Sequence, residues 1–234
     1  MMISYPLAAK TLRWAALMAA TVLTASAAPA CISGNTLDTY ASLGAGGCMV
    51  GPITAKDFAF SVVSFGGGAS LLADTDIVVT TSINPGRYGL IFSAPGSPGF
   101  GVLSGQFVNY LIAYTWDPSG SLRGLEDILD PGDATIVTDG CVGVAFVGPL
   151  CGGTPIQLTV SQGAKTQLKD TTFFTPVAVV GVRHNINIHA KGSPSSFDSL
   201  ENYILTPELS SWSLSLAGLA LVGWRARRQL LPKH

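Results

Sequence analysis

The sequence predicts an all-β protein: an antiparallel β-sandwich of about nine or ten short strands with one short N-terminal helix, between an N-terminal signal helix and a C-terminal transmembrane helix. Three observations predict it. Apolar residues in the middle of the chain recur with period two rather than 3.6. Clusters of Gly, Pro, Asn and Asp interrupt those runs at short intervals. Sustained apolar stretches sit at the two ends, at 14–23 and 209–224. With 234 residues in all, the chain divides into a signal segment (1–30), one exported β-rich domain (31–205) and a tail (206–234).

The first segment has the three parts that export machinery recognises. Lys10 and Arg13 form a basic flank, Trp14 to Leu23 an apolar stretch, and Thr24-Ala25-Ser26-Ala27-Ala28 a run of small residues. Ala25-x-Ala27 or Ser26-x-Ala28 fits a signal peptidase pocket, so cleavage is expected between Ala27 and Ala30. Lipidation of Cys31 is disfavoured, because Leu is missing three residues before it and Pro29 stands just ahead.

A helix is expected near the start of the domain, capped by Asn35, with Leu37, Tyr40 and Ala41 as its apolar stripe and Gly44 as its end. Strands follow. In Phe107 to Trp116 the residues Val108, Tyr110, Ile112, Tyr114 and Trp116 share one face. Similar runs occur at 58–64, 77–82, 88–93, 134–138, 142–147, 156–161, 177–181 and 183–189. Asn84-Pro85-Gly86, Asp117-Pro118-Ser119-Gly120 and Asp130-Pro131-Gly132-Asp133 supply turns between them.

Between residues 31 and 206 seven basic side chains face thirteen acidic ones, a net charge of −6. Such a body repels a polyanion, so nucleic acid is excluded as a partner. Cys31, Cys48, Cys141 and Cys151 all lie in this part, an even number suited to two disulfides in an oxidising compartment. Of the three possible connectivities, sequence proximity favours Cys31 with Cys48, across the helix, and Cys141 with Cys151, across a hairpin.

No catalytic residue, metal ligand or cofactor site is assigned. His184 and His189 face opposite sides of a strand, and His184 shares its face with Val182, Ile186 and Ile188, which reads as a satisfied half-buried histidine. His234 lies in the tail. Asp74-x-Asp76 and the group Glu126, Asp127, Asp130 and Asp133 lack the spacing of a calcium loop and read as solvated turns. Gly66-Gly67-Gly68 has no following Lys and helix to make a phosphate loop. There is no Gly-x-Ser-x-Gly elbow and no reactive-cysteine context, and a non-enzymatic role is expected. The paired carboxylates of a glycosidase can be far apart in sequence, which leaves that chemistry open. Tyr110, Tyr114 and Trp116 are expected to fill the core rather than stack on sugar rings.

At the C-terminus, Pro207-Glu208 precedes the apolar run Leu209 to Trp224, and Arg225, Arg227 and Arg228 follow it. Sixteen helical residues span about 24 Å against a hydrocarbon core of about 30 Å, a marginal anchor. By the positive-inside rule the arginines stay in the cytoplasm and the body lies outside. From Thr206 through Arg228 the tail resembles the PEP-CTERM sorting signal of Gram-negative bacteria, with Leu209 where that family has its second Pro. More weakly, Asn35 to Cys48, Phe58 to Ser61 and Ser193 to Tyr203 resemble the extracytoplasmic domains that carry such tails; the last of these looks like their closing strand. No activity carries over with that similarity.

The tail resemblance implies export by the general secretion machinery and a transient stay at the inner membrane. It also implies recognition by an exosortase, a membrane cysteine transpeptidase that acts near Pro207-Glu208. The expected destination is the cell surface or extracellular matrix, in a structural or adhesive role with exopolysaccharide. The alternative is a secreted carbohydrate-binding protein or carbohydrate-active enzyme carrying the same tail. Leu209 removes the stiffness that Pro gives an extended substrate, so slow processing is expected.

Overall fold

A computed structural model describes residues 28–207 except 97–98, 119–120, 131 and 163–165. The signal segment up to residue 27 lies outside the described residues, as do Glu208, the apolar run Leu209 to Trp224 and the cluster Arg225, Arg227 and Arg228.

Strand β1 (Asn35–Thr36) leads into helix α1 (Leu37–Ala41) and a 3-10 turn at Gly44–Gly46. β2 (Cys48–Val50) and β3 (Ile53–Gly66) form a hairpin. A second 3-10 turn, Asp74–Asp76, precedes the hairpin of β4 (Val78–Asn84) and β5 (Arg87–Ser93). Then come β6 (Phe100–Val102), β7 (Phe107–Pro118), β8 (Leu122–Leu129) and β9 (Thr135–Val142). A small hairpin, β10 (Phe146–Val147) and β11 (Leu150–Cys151), precedes β12 (Thr154–Ser161) and β13 (Lys169–Val177). The chain closes with β14 (Val180–His189), β15 (Ser195–Phe197) and β16 (Ser199–Leu205).

Two six-stranded antiparallel sheets face each other, in the orders β12-β9-β14-β7-β3-β2 and β1-β4-β5-β16-β8-β13. Between them lies one apolar core that includes Trp116, Tyr110, Phe92, Leu37 and Leu125. The expected alternation of β7 is observed, with Val108, Tyr110, Ile112, Tyr114 and Trp116 all buried in the core. A bulge at Asp57, whose φ is 57°, shifts the register of β3 on β7 between Lys56 and Ala59. The Asn84-Pro85-Gly86 turn closes the β4–β5 hairpin with Gly86 at φ 76°, a conformation that costs glycine little.

Sixteen strands among the described residues exceed the nine or ten expected, because several are two- or three-residue pieces and because β8 and β13 carried no recognisable pattern. The run 142–147 is broken: Val142 ends β9, 143–145 are turn and loop, and Phe146–Val147 form β10. The run 177–181 is divided between the end of β13 and the start of β14. Helix α1 is only five residues long and its N-cap is Thr36. Asn35 is instead drawn into β1, where it pairs with Val79 of β4.

The registers define two poles. At one, Val142, Val180, Trp116, Ala55 and Cys48 lie side by side across the first sheet. Leu205, Arg87 and Gly124 do the same in the second. A Cβ on Gly51 would lie 2.7 Å from the Tyr88 ring, so the β2–β3 turn of one sheet abuts the β4–β5 hairpin of the other. The chain arrives at this pole, where Pro29 and Cys31 hydrogen-bond to Met49, and departs from it after Leu205. The opposite pole holds the β6–β15 ribbon, with Gly132 bridged to Phe197.

Candidate functional site

Both expected disulfides are present. Cys31 is joined to Cys48 across α1, and Cys141 to Cys151 across the turn that leads into β10 and β11. All four cysteines are used, and both bridges lie at the pole where the chain arrives and departs. Bridges of this kind form and persist in oxidising surroundings, which fits an extracellular or periplasmic location. Pro207 is exposed just beyond β16.

A set of buried polar side chains lies between the sheets. Tyr114 of β7, Thr138 of β9, His184 of β14, Asp127 of β8 and Asn202 of β16 are all buried, and they form a ring. Thr138 Oγ1 is 2.7 Å from His184 Nδ1, and His184 Nε2 is 3.1 Å from the Tyr114 hydroxyl. Tyr114 donates to Asn202 Oδ1, which also accepts from Trp116 Nε1 at 3.2 Å. Asn202 Nδ2 donates to Asp127 Oδ1 at 2.7 Å. The Thr138 hydroxyl lies within reach of the Asp127 carboxyl as well as the imidazole, and Asp127 Oδ2 is buried without a hydrogen-bond partner.

The hydrogen bonds are satisfied by a neutral His184 whose Nδ1 accepts from the Thr138 hydroxyl and whose Nε2–H donates to Tyr114, while Tyr114 donates to Asn202 and Asn202 to Asp127. Burial favours the neutral form of each titratable member. Burial pushes the Asp127 carboxyl up to about 6, against the opposing hydrogen bonds from Thr138 and Asn202. Burial pushes the His184 imidazole down to about 3 and raises the Tyr114 phenol well above its ordinary value. With every member buried, the ring offers no surface on which an external substrate can react. It ties β8 and β16 of one sheet to β7, β9 and β14 of the other.

These positions correct two expectations. His184 is fully buried rather than half-buried, because the ring satisfies both of its nitrogens. Glu126 and Asp127 are not in a solvated turn but inside β8. Burial raises the Glu126 carboxyl, but hydrogen bonds from Lys169, Arg87 and Thr171 outweigh it and hold the group below its ordinary value. Asp130 accepts from Ser199, while Asp76 accepts from the Ala73 backbone at 2.8 Å within its own turn. Among the described residues no three His, Cys, Asp or Glu side chains cluster as a metal site. Sequence reasoning missed Asn202 and Thr138, since nothing in their neighbourhoods marks them as ring members.

Two open clefts flank the β6–β15 ribbon at the pole away from the termini. One, of about 480 Å³, is lined by Ser70, Gln106, Ser195, Ser196 and Leu103 among others, with no charged side chain. The other, of about 440 Å³, includes Ser93, Pro95, Phe100, Asp198 and again Ser196. In the first, Ser195 donates to the Asp133 carbonyl, and Gln106 is engaged with Leu103 and Gly68, which leaves Ser70 and Ser196 as its outward hydroxyl-bearing residues.

The chain matches no protein-family model and no curated protein sequence. Among solved structures it is similar to TmCBM61 in complex with β-1,4-galactotriose, at 10% identity and a TM-score of 0.31, over 62% of this chain and 86% of that one. It is also similar to the enzymatically active domain of tailspike protein 4 of bacteriophage CBA120, at 10% identity and a TM-score of 0.29, over 67% of this chain. There the match covers 19% of the tailspike chain. Likeness at this level bears on neither ligand nor activity.

Proposed function

We propose that this chain is an exported cell-surface or extracellular-matrix protein, sorted and processed by an exosortase, with a structural or adhesive role in association with exopolysaccharide. The observation that carries the reading is the pair of disulfides, both within the body that separates the signal-like start from the tail. An oxidising destination fits a body delivered across the inner membrane, with Arg225, Arg227 and Arg228 left behind. The exit of β16 next to Pro207 fits a tail that holds the body by one pole and turns the clefts outward. Deleting the exosortase gene is expected to hold the protein in the membrane fraction with its arginine tail intact, and restoring the gene to release it. Normal release from the deletion strain contradicts the reading.

A second reading, a carbohydrate-binding protein, is favoured by the uncharged, serine-bearing lining of the larger cleft, which suits a neutral sugar better than an ionic ligand. Binding on a glycan array that is lost in a Ser70→Trp and Ser196→Trp double variant supports it. Turnover of a bound polysaccharide supports the enzymatic form of that reading, and an array with no binding leaves the structural role.

A further inference from the structure

We propose that the outer face of the first sheet, at the end marked by Phe107, is a binding platform for a neutral polysaccharide chain. The inference rests on the carbohydrate-binding reading for its ligand class, but it places a site on a surface other than the clefts. Val108 and Tyr110 of β7 point into the core, so Phe107 and Asn109 point to the opposite side of the sheet. Phe107 pairs with Gly66 of β3 on one side and with His189 of β14 on the other. A Cβ on Gly66 would lie 2.3 Å from Cε1 of the Phe107 ring, so the missing side chain leaves the ring room to lean across β3. His189 meets that ring edge-on, with centroids 6.1 Å apart and planes at 79°. Both side chains stay exposed, Phe107 by 40%. An exposed ring resting on a sheet is a flat apolar surface, the shape against which the C–H face of a pyranose packs.

Beside the ring the face is polar without being charged. The next row across the strands is Ser64, Asn109, Asn187 and Thr135, and the row after it includes Ser61 and Asn185. Among the residues paired in these rows, charge first appears at Arg183 and Asp139, beside Ala113. That is six residues along β7 from Phe107, about 20 Å of strand. Asn187 Nδ2 donates to Asn185 Oδ1 at 3.1 Å, which orients both amides. Asn109 Oδ1 is buried and has no hydrogen-bond partner in the chain. Its terminal torsion is soft, so a ligand hydroxyl can draw this acceptor outward. Each sugar hydroxyl both donates and accepts, and a carboxamide answers with both functions at one end. A lipid or a protein core asks for continuous apolar area, which amides and hydroxyls interrupt here, and an anionic chain asks for basic groups that these rows lack. A neutral, hydroxyl-rich chain matches the ring, the amides and the missing charge together.

Calorimetric titration of the full chain in detergent micelles tests this, with neutral hexasaccharides of β-1,4-glucose, β-1,3-glucose and β-1,4-mannose and an alginate hexasaccharide as the acidic comparator. A neutral hexasaccharide is expected to bind with an affinity that added salt leaves unchanged. Phe107→Ala is expected to weaken that binding about tenfold or more, with the thermal midpoint of the protein unchanged, and Phe107→Trp to retain it. Asn187→Ala is expected to weaken it severalfold, and the Ser70→Trp and Ser196→Trp double variant to leave it intact. Binding that survives Phe107→Ala but is lost in the double variant overturns the platform and leaves the carbohydrate reading standing. Binding of alginate alone, or of none of the four, overturns the platform, and the glycan array then decides the carbohydrate reading by itself. A dimer seen by light scattering that Phe107→Ala dissociates, with no sugar bound, assigns the face to a second copy of the chain and overturns the proposal.

Discussion

In the unfolded chain near pH 5 the Asp127 carboxyl is charged and the His184 imidazole is protonated, since their ordinary values are 3.8 and 6.5. In the folded ring the charges are exchanged for neutrality, with Asp127 raised to about 6 and His184 lowered to about 3. The raised Asp127 contributes stability that is complete below 3.8 and lost as pH rises through about 6. The depressed His184 contributes stability present above 6.5 and lost as pH falls through about 3. Glu126, held below its ordinary 4.5, has its contribution in place above that pH. Each ring member alone has a slope of up to about 1.4 kcal/mol per pH unit, of opposite sign, and the two cancel between about pH 4.5 and 6. Urea unfolding of the native protein is therefore expected to be nearly flat across that window. Asp127→Asn is expected to lose stability as pH drops from 6 to 4.5 and His184→Gln to gain it, and a native slope as steep as either variant's contradicts the ring. The same neutrality makes a metal-free account of the acidic group testable. Glu126 is saturated by Arg87 and Lys169, so dialysis against EDTA is expected to leave the thermal midpoint unchanged, and a drop of several degrees would reveal a bound cation.

At the scale of elements, the disulfides and the β7 strand were legible because their signals are local. Ten and seventeen residues separate the bonded cysteines, and β7 alternates along its length. β8 was not legible. Its residues Leu125, Glu126 and Asp127 are consecutive and all buried, so the strand shows no period of two, and its charges read as solvated. The groups that neutralise them come from far along the chain: Arg87 lies 39 residues from Glu126, and Asn202 75 from Asp127. A linear pattern cannot carry such pairings. β13 was hidden for a different reason, since it is an edge strand with Pro176 and a register shift between Phe173 and Val177. The capping of α1 failed as an expectation because pairing with β4 claimed Asn35 first. Removing either disulfide by a double Cys→Ser substitution is expected to cost about 3 kcal/mol, from the loop each one closes in the unfolded chain. Denaturant titration of the two variants checks this, and a loss below about 1 kcal/mol would show that the bridge constrains little.

Over the whole molecule, the two poles of the sandwich carry different features. The chain arrives and leaves at the pole that carries both disulfides, whereas the clefts and the β6–β15 ribbon lie at the other. The body carries a net charge of −6, which disfavours adhesion to polyanions. A tail removed at or after Pro207 takes nothing from the fold, since the last paired residue is Leu205. Non-reducing intact mass of the protein recovered from outside the cells tests the account most directly. The account predicts a chain that begins between residues 28 and 31, ends at Pro207 or shortly beyond, and gains four hydrogens on reduction. A chain that still carries Arg225, Arg227 and Arg228, or whose mass does not change on reduction, would contradict it.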